Sequence, residues 1–208
     1  MPKETFRNLP EKKQKAILEA VKKEFEVHSI MDASVKDIVL ALGISRGSFY
    51  TYFENLEESY FTILEMETIE THELFIRLFR QEKSDLFRTL DLYGEELAKE
   101  LYRKEKHALY RNRFLYWTTE LDTLWKKFYI DNGNAKRLEL EKELRQVHDE
   151  RMTEVMHYVK AVVHELIKRS FLENWDSGTF LEHYGIQLSW MKNGLKSAMN
   201  KENDNGTI

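Results

Sequence analysis

Residues 32–60 read DASVKDIVLALGISRGSFYTYFENLEESY, which predicts two short helices joined by a tight turn and the start of a third. Ser34 precedes a short run with helical apolar periodicity, and its hydroxyl can accept a hydrogen bond from an otherwise unpaired N–H at the helix start. Gly43 suits the turn, because glycine adopts positive φ at no steric cost. Ser45 can cap the second helix. Two short helices with such a turn form a helix-turn-helix, whose second helix can lie in the major groove of DNA.

The composition predicts an all-α, soluble protein. Of 208 residues, 42% are hydrophobic and 33% are charged, which suffices for a core and a solvated surface. The only two prolines, Pro2 and Pro10, lie near the N-terminus, so proline interrupts no helix beyond them. The absence of cysteine excludes disulfides and thiol chemistry and fits a reducing cytoplasm. No apolar run approaches the ~18 residues of a membrane span, and we expect a cytoplasmic protein with no membrane partner.

The charge distribution permits DNA binding without establishing it. The net charge is −4, but residues 1–55 carry a net charge of +1 and the remainder carries −5. A first helix is predicted from about Pro10 to His28, with its apolar stripe on one face and lysines largely on the others. Those lysines form a solvated helix face or lie along DNA phosphates, the sequence-independent part of DNA affinity.

The span from Gln14 to Tyr60 resembles the DNA-binding region of the TetR family of bacterial transcriptional regulators. The residues that carry this resemblance stand in a fixed order along the predicted helices and turn: Ile17, Ala20, Phe25, Ser34, Val35, Asp37, Ile38, Ala41, Gly43, Ile44, Ser45, Gly47, Ser48, Phe49, Tyr50, Tyr52, Phe53 and Glu57. The resemblance implies an N-terminal three-helix helix-turn-helix DNA-binding domain over residues 1–55. It also implies a larger C-terminal helical domain over residues 56–208, for effector binding and dimerisation.

The resemblance assigns DNA contacts to the second helix of the motif. Its matching positions face base edges or phosphates in relatives, and Ser45 at its start is counted with them: Ser45, Arg46, Gly47, Ser48, Tyr50, Thr51 and Tyr52. Lys36, in the first turn of the first helix, is a further candidate for DNA contact, or it contacts only water. Arg46 suits bidentate hydrogen bonding to guanine, and the two tyrosine hydroxyls can donate to phosphates. Phe49 and Phe53 are expected in the core. The family usually has a lysine, which contacts a phosphate, where this chain has Leu56.

The rest of the chain also predicts helices. Asn55 can cap a long helix from Leu56 to about Gln81, and Ser84 can cap the next. The predicted later helices cover residues 85–104, 107–119, 120–130, 135–173 and 179–199, with loops at 131–134 and 174–178.

Two groups of apolar side chains have alternative interpretations. The first is rich in aromatic residues and forms either core or a pocket for a small-molecule effector, as the family often has: Tyr116, Trp117, Leu121, Trp125 and Phe128. The second lies in the last two helices, which relatives pair into a dimeric four-helix bundle, and otherwise packs within the chain: Val155, Val159, Val162, Leu166, Tyr184, Leu188 and Met191.

We find no pattern of catalytic residues. The seven histidines are scattered, no glycine-rich phosphate loop occurs, and His157 and His164 are seven residues apart without a third metal ligand in view. We therefore expect no enzymatic activity, no cofactor and no metal.

The sequence thus predicts a transcriptional repressor that binds a pseudo-palindromic double-stranded operator as a homodimer and is released by an unknown small-molecule effector. The alternative is a protein of the same fold that acts mainly through protein–protein contacts.

Overall fold

The computed structural model describes residues 2–68, 71–131 and 150–200, and all regular secondary structure in these ranges is helical, as predicted. The helices in chain order are α1 (Glu4–Arg7), α2 (Glu11–Val27), α3 (Val35–Leu42), α4 (Arg46–Tyr52), α5 (Leu56–Glu67), α6 (Thr71–Gln81), α7 (Leu86–Leu101), α8 (His107–Tyr116), α9 (Thr119–Asp131), α10 (Glu150–Leu172) and α11 (Ser177–Asn200).

The chain divides into two compact units. The first unit comprises Met1–Ile69 and Arg103–Ala135 and contains α1 to α5, α8 and α9. The second comprises Glu70–Tyr102 and Lys136–Ile208 and contains α6, α7, α10 and α11. The predicted division between residues 55 and 56 does not coincide with these units, since the chain returns to the first unit at α8. As a functional boundary it stays a prediction.

The predicted caps and turn of the helix-turn-helix are confirmed. The Ser34 hydroxyl accepts from the Asp37 N–H at the start of α3, and the Ser45 hydroxyl accepts from the Ser48 N–H, 3.1 Å away, at the start of α4. Gly43 ends α3 with φ 64° and ψ 33°, the left-handed conformation that favours glycine. The short connection from α3 to α4 is therefore fixed by three side-chain choices that were already visible in the sequence.

Aromatic packing holds α4 and α5 in the core of the first unit. Phe49 and Phe53 are fully buried, as predicted, with ring centroids 5.3 Å apart. Phe25 of α2 packs on Tyr60 of α5 at 4.6 Å, and burial raises the pKa of the Tyr60 phenol, so this hydroxyl stays protonated. The face of α4 opposite these rings is left to solvent.

The prediction of one helix from Leu56 to Gln81 is wrong. The helix that Asn55 caps ends at Glu67, because Thr68 adopts extended angles (φ −111°, ψ 139°). The Thr68 hydroxyl donates to the Leu64 carbonyl and accepts from the Arg113 guanidinium at 3.0 Å. A tertiary contact with α8 thus supports the end of α5.

In the second unit, α7 packs against α11. The Tyr184 hydroxyl donates to the Leu90 carbonyl at 2.7 Å, and Lys192 pairs with Asp91 at 2.6 Å. Asp85, rather than the predicted Ser84, caps α7 by accepting from the Arg88 N–H. Ser84 has φ 66°, a left-handed angle that an N-cap residue does not adopt. Of the predicted helix 135–173, the part before residue 150 and the loop residues 132–134 lie outside the described residues.

Candidate DNA interface

The solvent-facing surface of α4, which we call the recognition face, consists of Arg46, Gly47, Tyr50 and Thr51. These positions recur at the spacing of one helical turn, so their side chains lie on one side of the helix. Lys36 is exposed in the first turn of α3. The residues predicted to face DNA bases are thus solvent-exposed, apart from the half-buried Ser48, and their contact with DNA stays a prediction.

Two hydroxyls near the recognition face are bound within the chain. The Thr51 hydroxyl donates to the Ser48 carbonyl at 2.7 Å, and the Ser45 and Ser48 hydroxyls are 2.9 Å apart. With its hydroxyl bonded to the helix backbone, Thr51 offers chiefly its methyl group to a partner. Such a methyl group can contact the methyl of thymine in the major groove.

Arg46 lies against Tyr50, one turn further along α4. The Arg46 guanidinium is 5.9 Å from the centre of the Tyr50 ring, and its Nη2 atom is 3.4 Å from the Tyr50 hydroxyl. Both side chains are exposed, so this contact is weak and leaves the guanidinium fork available. The ring restricts the range of directions that the arginine can take.

Tyr50 and Tyr52, for which the sequence predicts the same phosphate contact, differ in their surroundings. Tyr50 is 38% exposed, whereas Tyr52 is only 6% exposed and packs edge-to-face on Phe6. The Tyr52 ring therefore belongs to the core, and the phosphate contact predicted for its hydroxyl stays a prediction.

The last turn of α4 is held by the N-terminal segment, which the sequence reasoning missed. The Lys3 N–H donates to the Tyr52 carbonyl at 2.8 Å, and the Lys3 ammonium donates to the Tyr50 carbonyl at 2.9 Å. Phe6 is buried and lies 5.6 Å from Phe53, ring to ring. Phe6 is the only aromatic residue among the mostly polar residues 3–8, and this feature of the sequence could have indicated that the segment packs on the core.

The start of α5 lacks the lysine that relatives carry. Leu56 is partly buried against the core, and the neighbouring side chains are acidic. The Glu58 carboxylate accepts from the Glu54 N–H at 2.6 Å, and Asn55 accepts from the Glu58 N–H at 2.7 Å. The polar side chains at the start of α5 therefore cap the helix itself.

Four of the five predicted pocket residues, all but Tyr116, pack in the core of the first unit. Trp125 stacks on Phe128 at 5.6 Å with parallel rings, and Phe61 lies 5.1 Å from Trp125. Leu121, Trp125 and Phe128 are buried, whereas Tyr116 is exposed. Trp117, Leu121, Trp125 and Phe128 belong to the core of the first unit, and Phe128 and Phe61 also line an open cleft of about 340 Å³. The role of the predicted residues as a pocket stays a prediction.

The predicted dimer residues also pack within their own chain. Val155, Val159, Leu166, Tyr184, Leu188 and Met191 are buried in the second unit, and Val162 is half-buried. Among the side chains of α10 and α11 that the structure describes, four large apolar ones are exposed, and we call this set the apolar face: Tyr158, Leu172, Ile186 and Trp190. Intrachain packing accounts for the buried set, and its part in a dimer interface stays a prediction.

Two other properties concern metals and membranes. Within the ranges that the structure describes, there is no group of three or more His, Asp or Glu side chains placed to hold a metal ion. In the same ranges, no helix combines the length and the apolar character needed to cross a bilayer.

Comparisons with known proteins agree with this arrangement. Residues 17–58 match the family model described as bacterial regulatory proteins, tetR family, and residues 86–194 match the model of the tetracyclin repressor C-terminal domain. No curated protein matches the chain. The fold and its exposed recognition face define a helix-turn-helix regulator of transcription. Since the family models match most of its length, the chain belongs to the TetR family, whose members are regulators rather than enzymes.

Among the solved structures that match this chain, two illustrate the shared fold. One is NalD, the secondary repressor of the MexAB-OprM multidrug efflux pump in Pseudomonas aeruginosa, with a TM-score of 0.60 and 22% identity over 88% of this chain and 95% of that one. The other is the fatty acid degradation regulator FadR from Bacillus halodurans, with a TM-score of 0.53 and 18% identity over 84% of this chain and 96% of that one.

Proposed function

We propose that this regulator is a repressor that binds a pseudo-palindromic operator as a homodimer and that a small-molecule effector releases it. The observation that supports this most is the recognition face on α4. It exposes the Arg46 guanidinium, a glycine and a threonine methyl on a helix whose other side is buried by phenylalanines. This is the arrangement of a helix that reads base edges in the major groove.

Base reading rests mainly on Arg46. Its guanidinium can donate two parallel hydrogen bonds to O6 and N7 of one guanine, the commonest specific contact in the major groove. The Tyr50 ring beside it restricts the arginine before DNA arrives, which lowers the entropy lost on binding. Tyr50 and Lys36 are then proposed to contact phosphates, which fix the register of α4 on the duplex.

Dimerisation follows from the short length of α4. A helix of seven residues spans few base pairs, so tight binding requires two copies that are related by a two-fold axis. The apolar face of α10 and α11 supports this proposal, because Trp190 is 63% exposed and lies one turn from the exposed Ile186. Large apolar side chains in such proximity are typical of protein interfaces.

Besides the predicted aromatic pocket of the first unit, we propose a second candidate site for the effector in the second unit. A small cavity of about 20 Å³ lies there among α6, α7 and α10, and is lined by Phe75, Tyr93, Met156, Val159, Lys160, Val163 and His164. Its volume is that of about one water molecule, so an effector would have to widen it. A ligand that favours the widened state would shift the population towards the form with lower DNA affinity.

The test is a selection of DNA sequences from a random library by the purified full-length protein. We expect a palindrome with half-sites that are centred about one helical turn, or a multiple of it, apart. The variant Arg46→Ala should relax base preference at one position in each half-site and cost about 1–3 kcal/mol per contact. Arg46→Lys is the matched control, since it keeps the charge and loses the bidentate fork.

The second candidate function is an interaction protein with this fold that does not read a sequence. The net charge of −4 and Leu56 in place of the expected lysine favour it. If no sequence is enriched even at low salt, this candidate replaces the repressor. If Arg46→Ala weakens binding equally on all sequences, Arg46 contacts phosphate rather than bases.

A further inference from the structure

We propose that residues 3–9 form a clamp that fixes the C-terminal turn of α4, and that Lys3 is a positioning residue for sequence reading. We call this segment the N-terminal clamp. The inference rests on the proposed DNA function of α4 and adds to it a region outside the helix-turn-helix. None of the residues in the clamp belongs to the recognition face.

The need for a clamp follows from the shortness of α4. The last four carbonyls of a helix have no partner within the helix, and in α4 these are the carbonyls of residues 49–52. The Phe49 carbonyl accepts from the Phe53 N–H at 3.0 Å. Lys3 then supplies donors to two more carbonyls, its N–H to Tyr52 and its ammonium to Tyr50. A single residue, 47 positions away from Tyr50 along the chain, thus caps this helix end.

The electrostatics of the cap are favourable. A helix C-terminus carries a partial negative charge, and a cation within the last turn stabilises it. No basic residue of α4 lies in its own last turn. The Lys3 ammonium supplies this charge from outside the helix, at 2.9 Å from a backbone carbonyl.

The clamp is itself held in place from two sides. Phe6 is only 4% exposed and contacts the rings of Tyr52 and Phe53 at 6.2 and 5.6 Å. On the other side, the Gln14 side-chain amide donates to the Arg7 carbonyl at 3.0 Å and to the Leu9 carbonyl at 2.8 Å. Lys3 therefore bonds to α4 from a segment that is already anchored on α2 and in the core.

The consequence for DNA reading concerns Tyr50 and Thr51. Both residues belong to the turn that Lys3 caps, so a frayed turn would displace them and the Arg46 contact with Tyr50. Displacement of the Tyr50 ring would release Arg46, whose bidentate contact with a base requires a defined geometry, and displacement of Thr51 would withdraw its methyl group from a thymine. Loss of the clamp should therefore reduce discrimination between sequences more than total DNA affinity.

The experiment compares three substitutions at Lys3 in the full-length chain. Lys3→Arg keeps a cationic donor and should behave as the parent protein. Lys3→Ala removes the ammonium with its side-chain stem and keeps the N–H, and should lower the ratio of specific to non-specific affinity by roughly three- to tenfold, the effect of one solvent-exposed hydrogen bond of ordinary strength. Lys3→Pro removes the N–H as well, and it fits the backbone because φ of Lys3 is −60°. It should lower the ratio further.

Salt dependence and a matched charge control separate positioning from direct DNA contact. If Lys3 positions α4, Lys3→Ala leaves the dependence of affinity on salt unchanged. Lys12→Ala removes the same charge from an exposed position of α2 and should leave discrimination unchanged. If Lys3→Ala instead weakens binding equally on all sequences and reduces the salt slope by about 0.9, Lys3 contacts a phosphate and the proposal is overturned. The proposal is also overturned if the ratio of specific to non-specific affinity is unchanged in all three Lys3 variants.

A measurement without DNA distinguishes failure of the clamp from failure of the proposed function. Amide hydrogen exchange of Phe53, whose N–H closes the last turn of α4, should be faster by about tenfold in Lys3→Pro. If the parent protein selects no DNA sequence but exchange is faster, the clamp exists and the DNA function is wrong. If exchange is unchanged, the clamp is wrong whatever DNA the protein binds.

Discussion

Gly47 is exposed on the recognition face, yet nothing inside the chain requires a glycine there. A Cβ atom at this position would lie 3.7 Å from the Ser45 hydroxyl, which is an ordinary contact, and its φ is not left-handed. The fold therefore does not account for this glycine, and we expect the missing side chain to allow close approach of DNA. Gly43 is the opposite case, because its φ of 64° favours glycine although no atom lies within 4 Å.

Replacing each of these two glycines by alanine tests whether its role lies in DNA binding or in the fold. Gly47→Ala should leave the fold intact or stabilise it by up to about 1 kcal/mol, through better helix propensity. It should lower operator affinity by roughly tenfold or more, since a methyl group would separate α4 from the bases. Gly43→Ala should destabilise the protein by about 1–2 kcal/mol. Thermal unfolding and DNA titration measure the two effects, and a Gly47→Ala variant that binds DNA normally would contradict the proposed close approach.

At the scale of helices, α8 holds the C-terminal end of α2. The Asn112 side chain is 8% exposed, and its amide donates to the Phe25 carbonyl at 2.9 Å and lies 3.3 Å from that of His28. The Phe25 carbonyl is one of the last four of α2, which have no partner within the helix. This contact joins residues more than 80 positions apart, and the order of the helices along the chain does not predict it.

Removing this amide tests the contact. Asn112→Ala should lower the free energy of unfolding by about 1–3 kcal/mol, because buried carbonyls lose their donor. Asn193→Ala, at an exposed position of α11, is the control and should change stability by less than about 0.5 kcal/mol. Chemical denaturation measures both. Equal stability of the two variants would mean that water replaces the Asn112 amide at no cost.

The packing of α7 on α11 depends on a glycine. A Cβ atom at Gly94 would overlap the ring of Tyr184, whose hydroxyl is fixed on the Leu90 carbonyl and cannot withdraw without losing that bond. We expect Gly94→Ala to destabilise the protein by about 1–3 kcal/mol. Gly194→Ala is the matched control, since no atom lies within 4 Å of a Cβ there, and it should be neutral or stabilising. Thermal unfolding that ranks the two variants in the reverse order would refute this account.

At the scale of the whole molecule, the apolar face of α10 and α11 is expected to join two copies. Trp190→Glu places a charge where we expect an apolar contact and should weaken self-association by roughly a hundredfold, as loss of an interface tryptophan commonly does. Operator affinity should fall with it, because one half-site then binds alone. Val27→Glu, at a 73% exposed apolar position of the first unit, should leave self-association unchanged. Sedimentation equilibrium measures the association, and a Trp190→Glu protein that remains dimeric would place the interface elsewhere.

The sequence predicted the parts of this protein that depend on neighbouring residues. The caps at Ser34, Ser45 and Asn55 and the left-handed turn at Gly43 were visible, because each involves residues within four positions of one another. The family resemblance rested on the same stretch. The exposed recognition face followed from it, since helical periodicity assigns sides to a helix once its core residues are recognised.

Contacts between distant residues could be found only in the tertiary structure. Three such contacts join residues at least 45 positions apart, and no local pattern encodes them: Lys3 with the end of α4, Asn112 with the end of α2, and Arg113 with Thr68. The contact of Arg113 with Thr68 lies at the end of α5, where periodicity alone predicted a continuous helix. In the same way, the sequence identified apolar positions in the last two helices, but only packing separated the buried Tyr184 and Met191 from the exposed Ile186 and Trp190. Local hydrogen bonding and periodicity are properties of the sequence, whereas the choice of which apolar side is covered depends on partners that the fold brings from elsewhere in the chain.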